Sequence, residues 1–381
     1  MIWHSAVGID DKGNAQTTVL LWTDTGSAPQ VARLKGERPD LPGITRYPLA
    51  LQLSLWAAYL ASGNPTRGLC PLPSLCVPAG LCNGQPFFEF EGLQESPSMA
   101  SASGLWDQTQ QRWLPEWEPL LFPVGDSRLE EDYPWFPAIG DGAASSAGAG
   151  GVHPDRLALM IGTSGALRAF GQRGTGMPVR PEGLWRYQLA SDWFALGGGL
   201  TNGGSLWAWL EKTLNLGELA DNAEPDAHGL TVLPFLSGER APLWRDDLFG
   251  AIIGLSGSTT PEDIARAHLE AVAYRFASVR DLLRPLAPRA SLIATGAALK
   301  KSPVWPQILA DVLGEPLLLC AEDEGSARGA ALWARERLGL GTVQDAPTPA
   351  IAETVTPNAA RHDIYAAARE RHEALLKTLV G

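Results

Sequence analysis

The chain has 381 residues, 45% of them hydrophobic, which is enough apolar material for one large domain or two ordinary ones. A formal net charge of −12 and an isoelectric point near 5.0 argue against nucleic acid or an anionic membrane as partner, though a local basic pocket could still take a small anion. No run resembles a leader or is long enough to span a bilayer, so a cytoplasmic protein is expected.

In chain order, residues 5–22 have a hairpin pattern: SAVGID, a DDKGN turn, then TTVLLW. YPLALQLSLWAAYLA (47–61) predicts an apolar helix opened near Pro48 and stopped at Gly63-Asn64-Pro65. Residues 63–97 are rich in Pro, Gly and Cys and read as irregular. Cys70, Cys76 and Cys82 fall there and Cys320 far downstream, a spacing that suits reduced thiols rather than zinc or a disulfide framework. SMASASGLWD (98–107) is small and polar, suited either to lining a pocket or to close packing.

FPAIGDGAASSAGAG (136–150) predicts a strand, a turn and a helix whose first turns are nearly all Ala, Ser and Gly. Composition alone would also allow a flexible linker over 142–155. A helix packed tightly on a neighbour is the preferred reading, because no Pro or strong charge intervenes before His153-Pro154-Asp155.

From residue 156 the chain alternates. LALMIGTSG, LWRYQLA and WFALGGGLTN read as strands, 203–214 as a helix opened by two glycines, and LTVLPFLSG as a strand. Residues 261–284 form a long amphipathic helix with Pro at its first position and acids in its first turn. SLIATGAAL is strand then turn, 302–313 a helix, PLLLCA a strand, and 324–338 a helix. A Pro/Thr-rich tail (341–358) precedes a C-terminal helix, and Trp207, Trp209, Trp305 and Trp333 are assigned to the core. The alternation argues for an α/β fold around a central sheet.

The chemistry concentrates between residues 137 and 165. Asp141 lies in a glycine turn, where a carboxylate can accept a proton from a substrate hydroxyl. Gly162-Thr163-Ser164-Gly165 follows a strand and can offer N–H groups and hydroxyls to phosphate oxygens. Phosphoryl transfer needs both on one cleft, since that chemistry is mostly positioning and charge neutralisation. Each piece has a plainer alternative: a helix cap for Asp141, an ordinary turn for 162–165. No G-x-S-x-G elbow supports an α/β hydrolase.

These and further stretches together resemble the FGGY carbohydrate kinases, the gluconate-kinase-like branch most closely and the xylulokinase-like branch next. The matching stretches are WTDT (22–25), SMASASGLWD, GDGAA (140–144), GTSGA (162–166), LTNGGSLWAWL (200–210), PFLSGERAP (234–242) with GAIIGL (250–255), and ATGAALKKSPVWPQILADVLG (294–314). The resemblance implies an actin/hexokinase-like (ribonuclease H-like) two-domain fold with central mixed sheets, divided here into 1–153 on the sugar side and 154–381 on the nucleotide side. It implies ATP with Mg²⁺, a sugar or sugar acid (gluconate first) as acceptor, and Asp141 as general base. Gly162, Thr163 and Ser164 would hold the terminal phosphates. Gly203 and Gly204 would bring a helix N-terminus to them. Gly296, Ala297 and Ser302 would border the adenosine, and Trp3, His4 and Asp24 the sugar.

Three departures accompany the resemblance. No D-x-G-T-T-S loop is found, and the chain opens at MIWHSAVG, so about seventy to ninety residues of the first domain are expected to be missing. An incomplete sheet edge would favour a homodimer, and a remnant that binds nucleotide or sugar without transfer is the alternative function. Gly26 replaces a frequent Arg, and Ala297 replaces a glycine, which would matter only if that position needed positive φ.

Overall fold

The computed structural model describes residues 6–9, 33, 36–40, 68–71, 94–115, 118, 121, 123–126, 129–130, 134–172, 180–190, 192–217, 219–220, 223–245 and 247–380. The second run of the expected hairpin, the expected helix at 47–61, and Trp3, His4 and Asp24 lie outside the described residues. Strand β1 (Ala6–Ile9) pairs antiparallel with β2 (Gly68–Pro71), so part of the stretch expected to be irregular is a strand.

Helix α1 (Pro97–Ser103) has Pro97 in its first turn and is capped by Ser96, whose hydroxyl accepts from the Met99 N–H at 3.0 Å. It stops at Gly104, which takes the left-handed conformation (φ 78°) that a side chain would oppose. Two small hairpins follow, β3 (Trp106–Asp107) with β4 (Arg112–Trp113) and β5 (Leu129–Glu130) with β6 (Pro134–Trp135). The FPAI run expected as a strand carries no ladder over 136–140 and leads directly into α2 (Asp141–Gly148).

The rest is built on one seven-stranded mixed sheet. Its strands, with the connecting elements in chain order, are β7 (Arg156–Ile161), β8 (Gly165–Gln172), β9 (Trp185–Gln188), β10 (Trp193–Leu200), α3 (Gly204–Thr213), the β11 (Thr231–Leu233) and β12 (Ala251–Ile253) hairpin, α4 (Pro261–Leu283), β13 (Ser291–Thr295), α5 (Ala297–Lys301), α6 (Trp305–Leu313), β14 (Leu317–Cys320), α7 (Gly325–Arg337), β15 (Ile351–Val355) and α8 (Ala359–Val380). The order across the sheet is β15-β14-β13-β7-β8-β10-β9. Strands β7, β13 and β14 run parallel, and β8, β10, β9 and β15 are added antiparallel.

Two strands of this sheet escaped the sequence reading. Strand β8 is buried along most of its length and interrupted by Arg168, so it lacks an alternating pattern, while β15 is a Pro-free stretch inside a Pro/Thr-rich tail. LTVLPFLSG contracts to the three residues of β11. Trp305 and Trp333 are buried as expected, but Trp207 is only partly buried and Trp209 is 37% exposed on the outer face of α3, against His268.

Helix α4 carries every start signal its sequence offers. Pro261 opens it, and Thr260 and Asp263 form a reciprocal capping box, with Oγ1 accepting from the Asp263 N–H at 3.1 Å and the Asp263 carboxylate from the Thr260 N–H at 2.9 Å. Its apolar side lies on β8 and β10 because glycines there leave room. A Cβ on Gly165 would lie 2.6 Å from Phe276, and one on Gly198 2.7 Å from Val279. Both side chains are fully buried, each contributing about 1.5–3 kcal/mol.

Helices α2 and α7 pack against each other backbone to backbone. A Cβ on Gly148 would come within 1.8 Å of the Gly325 carbonyl oxygen, and one on Gly329 within 1.8 Å of that of Ala144. The Ala/Ser/Gly run is therefore a helix forced into close contact, not a linker. Among the described residues no helix is long and apolar enough to cross a membrane.

Candidate active site

Strand β7 ends at Ile161 and the chain returns as β8 from Gly165, so Gly162, Thr163 and Ser164 form the hairpin tip, closed by the Gly162 N–H on the Ser164 carbonyl at 3.0 Å. Helix α3 begins against this tip. The Gly204 N–H donates to the Gly162 carbonyl at 2.7 Å and the Ser205 N–H to that of Thr163 at 3.0 Å. Any side chain here would break the contact, since a Cβ on Gly203 would lie 2.7 Å from the Ser164 carbonyl carbon and one on Gly204 2.5 Å from the Gly162 oxygen.

The turn after β13 closes the third side. Gly296 has φ 121°, and a Cβ there would lie 2.2 Å from the Ile161 oxygen. Ala298 reaches Gly204, where its Cβ would stand 3.1 Å from an added one. Three glycines, 203, 204 and 296, thus let three stretches far apart in the chain meet in one cluster. Positive φ is required at Gly296, while Ala297 is an exposed first residue of α5, so alanine there is accommodated. Ser302 is turned inward: it is buried and its hydroxyl accepts from the Trp305 N–H at 3.3 Å, a capping contact for α6.

The tip has one open side. Thr163 is exposed and a Cβ on Gly162 would meet nothing within 4 Å. Among the described residues no group bonds the Thr163 or Ser164 hydroxyl. The first three N–H groups of α3 are spent on the Gly162, Thr163 and Gly203 carbonyls, so the helix offers an anion its dipole and the tip offers the two unengaged hydroxyls.

Asp141 is half-buried as the first residue of α2, with Gly140 in the cap position. Its Oδ1 accepts from the Gly142 N–H at 2.8 Å, and the Gly140 N–H donates to Ser98 Oγ at 3.1 Å, so α1 supports the turn that presents it. SMASASGLWD packs closely, with Ser101 Oγ donating to the Gln188 carbonyl at 3.0 Å and Trp106 Nε1 to Gln188 Oε1 at 3.2 Å.

Asp141 has a buried cation for company. Arg168 on β8 donates through Nη1 to Ser146 Oγ of α2 at 3.2 Å and lies 5.7 Å from the Trp185 ring centroid, while its Nε is buried with no partner. Burial pulls its guanidinium down to about 10, opposed by the Tyr187 and Asp141 charges, and the Arg240 guanidinium also disfavours its charge. At neutral pH it remains a cation. Arg168 and Arg240 had no role in the sequence reading; the signal available was an arginine inside an otherwise apolar strand.

A metal site is not apparent among the described residues. Asp226, His228 and Glu270 approach one another closely enough to share an ion. However, Arg371 lies 2.7 Å from Asp226, and Glu270 accepts from Arg266 at 3.2 Å and Tyr365 at 3.2 Å, besides contacting His228 at 3.1 Å. A divalent ion would have to displace two guanidiniums. A cavity of about 640 Å³ between α4, α6 and α8 is lined by charges already paired, Arg280 and Arg284 with Glu315 and Arg369 with Asp281.

The mixed seven-stranded sheet with its glycine-built β7–β8 tip is of the actin/hexokinase-like fold. Comparisons with known proteins agree. Residues 157–335 match the C-terminal domain of the FGGY family of carbohydrate kinases. A gluconokinase of Bacillus licheniformis is 25% identical over 86% of this chain and 71% of its own length. A xylulose kinase of Staphylococcus epidermidis is 30% identical over 65% of this chain and 52% of its own. Two structures from Lactobacillus acidophilus share the fold at 20% identity: a ligand-bound xylulose kinase (TM-score 0.86, covering 100% of this chain and 83% of that one) and a gluconate kinase (TM-score 0.84, 99% and 83%). The matches support an ATP-dependent carbohydrate kinase of the FGGY kind, the family likeness being carried by residues 157–335.

Proposed function

We propose that the chain phosphorylates a sugar acid, gluconate first, with Asp141 as general base. The observation that carries this reading is the placement of two groups. An open hydroxyl-and-glycine tip lies at the β7–β8 turn, and the helix that begins with the half-buried Asp141 is tied to β8 through the Arg168–Ser146 hydrogen bond. The preference for gluconate rests on the gluconokinase likeness, which extends over 71% of that relative, against 52% for the xylulose kinase.

ATP is a substrate of the reaction. Its terminal phosphates would lie against Thr163, Ser164 and the α3 N-terminus, with Gly296 and Ala297 beside the adenosine. The acceptor hydroxyl oxygen attacks the γ-phosphorus, Asp141 takes its proton, the bond from the γ-phosphorus to the β–γ bridging oxygen breaks, and ADP leaves. Magnesium, carried on the phosphates, supplies charge neutralisation. The division at residue 153 into sugar and nucleotide sides belongs to the same proposal.

Asp141→Asn tests it. A positioned base contributes about 10²–10⁴-fold, so kcat on gluconate should fall by that factor while magnesium–ADP affinity changes less than twofold by calorimetry. Turnover unaffected by the change would end the assignment. ADP binding without turnover on gluconate, xylulose or glycerol would identify a binding remnant instead.

A further inference from the structure

The stretch PFLSGERAP (234–242) takes no part in the reaction as proposed, yet it is fastened on several sides. Glu239 exchanges backbone hydrogen bonds with Arg245 at 2.8 and 2.9 Å, and its buried carboxylate accepts from Arg275 Nε of α4 at 2.6 Å. Just beyond it, Trp244 Nε1 donates to the Gly183 carbonyl at 2.7 Å. Two further bonds reach the connection between β10 and α3. The Ala241 N–H donates to the Gly199 carbonyl at 3.0 Å, and the Gly238 carbonyl accepts from Nδ2 of buried Asn202 at 3.2 Å. Gly238 has φ 67°, a conformation that a side chain would oppose, so glycine is what presents that carbonyl.

The same connection also meets the hydroxyl-bearing tip. Gly203 lies against Ser164, the Gly204 N–H donates to the Gly162 carbonyl at 2.7 Å, and the Ser205 N–H to that of Thr163 at 3.0 Å. Residues 202–205 are thus held by two loops: the tip grips 203–205, and residues 238–241 grip Asn202. Gly203 and Gly204 have no side chains with which to keep their own place. Among the described residues, Asn202 makes the one side-chain hydrogen bond of the stretch 201–204. A shift of about 1 Å at the start of α3 would carry both contacts with the tip beyond hydrogen-bond range.

We propose that Asn202 is a positioning residue for the phosphate end of ATP: its amide, braced on the β11–β12 loop, keeps the start of α3 seated on the Gly162–Ser164 tip. Two hydroxyls and a helix dipole are thereby held in one arrangement before the phosphates arrive. Asn202 acts through the tip and does not touch the nucleotide. This inference rests on the reading of that tip as the phosphate site.

The test compares nucleotide with nucleoside binding, which needs no turnover. In Asn202→Ala, magnesium–ADP affinity by calorimetry should weaken about 5–10-fold, the upper range for one neutral hydrogen bond, while adenosine affinity changes less than about twofold. In steady state the KM for ATP should rise by about the same factor, with kcat within about threefold and the KM for gluconate within about twofold. Asn202→Leu, which keeps the volume and lacks the donor, should match the alanine variant, and serves if that variant melts early. Wild-type ADP affinity in Asn202→Leu would show that volume alone is at work, and overturns the inference. So does an equal loss for adenosine and ADP, the mark of a general loosening of the fold. A wild type that binds adenosine but gains nothing from the phosphates of ADP removes the phosphate reading of the tip, and this inference with it. A wild type that does gain from them, with variants that match it, removes the role of Asn202 alone.

Discussion

Gly329→Ala sets two effects of opposite sign against each other. Gly329 lies inside α7, where alanine is favoured over glycine by about 1 kcal/mol. Its added Cβ, however, would stand 1.8 Å from the Ala144 oxygen, where ordinary contact starts at 3.4 Å, so the helices must part by about 1.6 Å. The obstruction is backbone and has no rotamer to change, which places the cost at or above the upper end of the about 1–3 kcal/mol typical of overpacking. Packing should win by about 2 kcal/mol or more, lowering the melting temperature by about 4–8 °C. Because α2 begins with Asp141, the base proposed above, the same displacement should also reduce kcat, on the order of tenfold or more, since a misplacement near 1 Å at a reacting group can cost about 10²-fold. Urea titration and steady-state kinetics measure the two, with Gly257→Ala as control because a Cβ there meets nothing within 4 Å. A stabilised Gly329→Ala protein with wild-type kcat would refute the argument.

Two further outcomes follow from buried polar groups. Burial, with help from Arg275, holds His372 down to about 4, while its Nδ1 bonds the Val232 carbonyl and Glu373 favours its charged form. The folded protein thus takes up this proton less readily than the unfolded chain: its contribution is full above pH 6.5 and lost as pH falls toward 4, by at most about 1.4 kcal/mol per pH unit. His372→Asn should flatten the decline of urea midpoints between pH 6.5 and 4.5, and an unchanged slope would contradict this. Glu239 runs the other way, burial pushing it up to about 7 against Arg275, so its contribution is lost as pH rises from 4.5 through 7. For the Asp226–His228–Glu270 cluster, EDTA or added zinc should move the melting temperature by less than 1 °C, whereas a rise of several degrees with zinc would show that an ion displaces the arginines.

What could be read in the sequence was local. Helix α4 declared itself through Thr260, Pro261 and Asp263, and Gly140-Asp141-Gly142 announced a carboxylate at a helix start. The glycines at 162, 203, 204 and 296 were each visible, but their meeting depends on β13 lying beside β7 in the sheet, which no neighbouring residue encodes. Arg168 was hidden for the same reason: its bond to Ser146 depends on α2 lying against β8. Ser302 looked like a ligand-facing hydroxyl by position, yet a helix start three residues on claimed it first. Trp209 was assigned inward because helices with many apolar residues hide which side faces water.

The last helix, α8, bears on how the polypeptide is made. Tyr365 reaches Glu270, Arg361 reaches Asp311, Arg371 reaches Asp226, and Glu373 reaches Arg275, while Leu376 closes the apolar cluster over β11. Every one of those earlier groups leaves the ribosome well before its counterpart. The growing chain therefore carries a set of interior charges whose final stabilising contacts stay unmade until α8 has been synthesised.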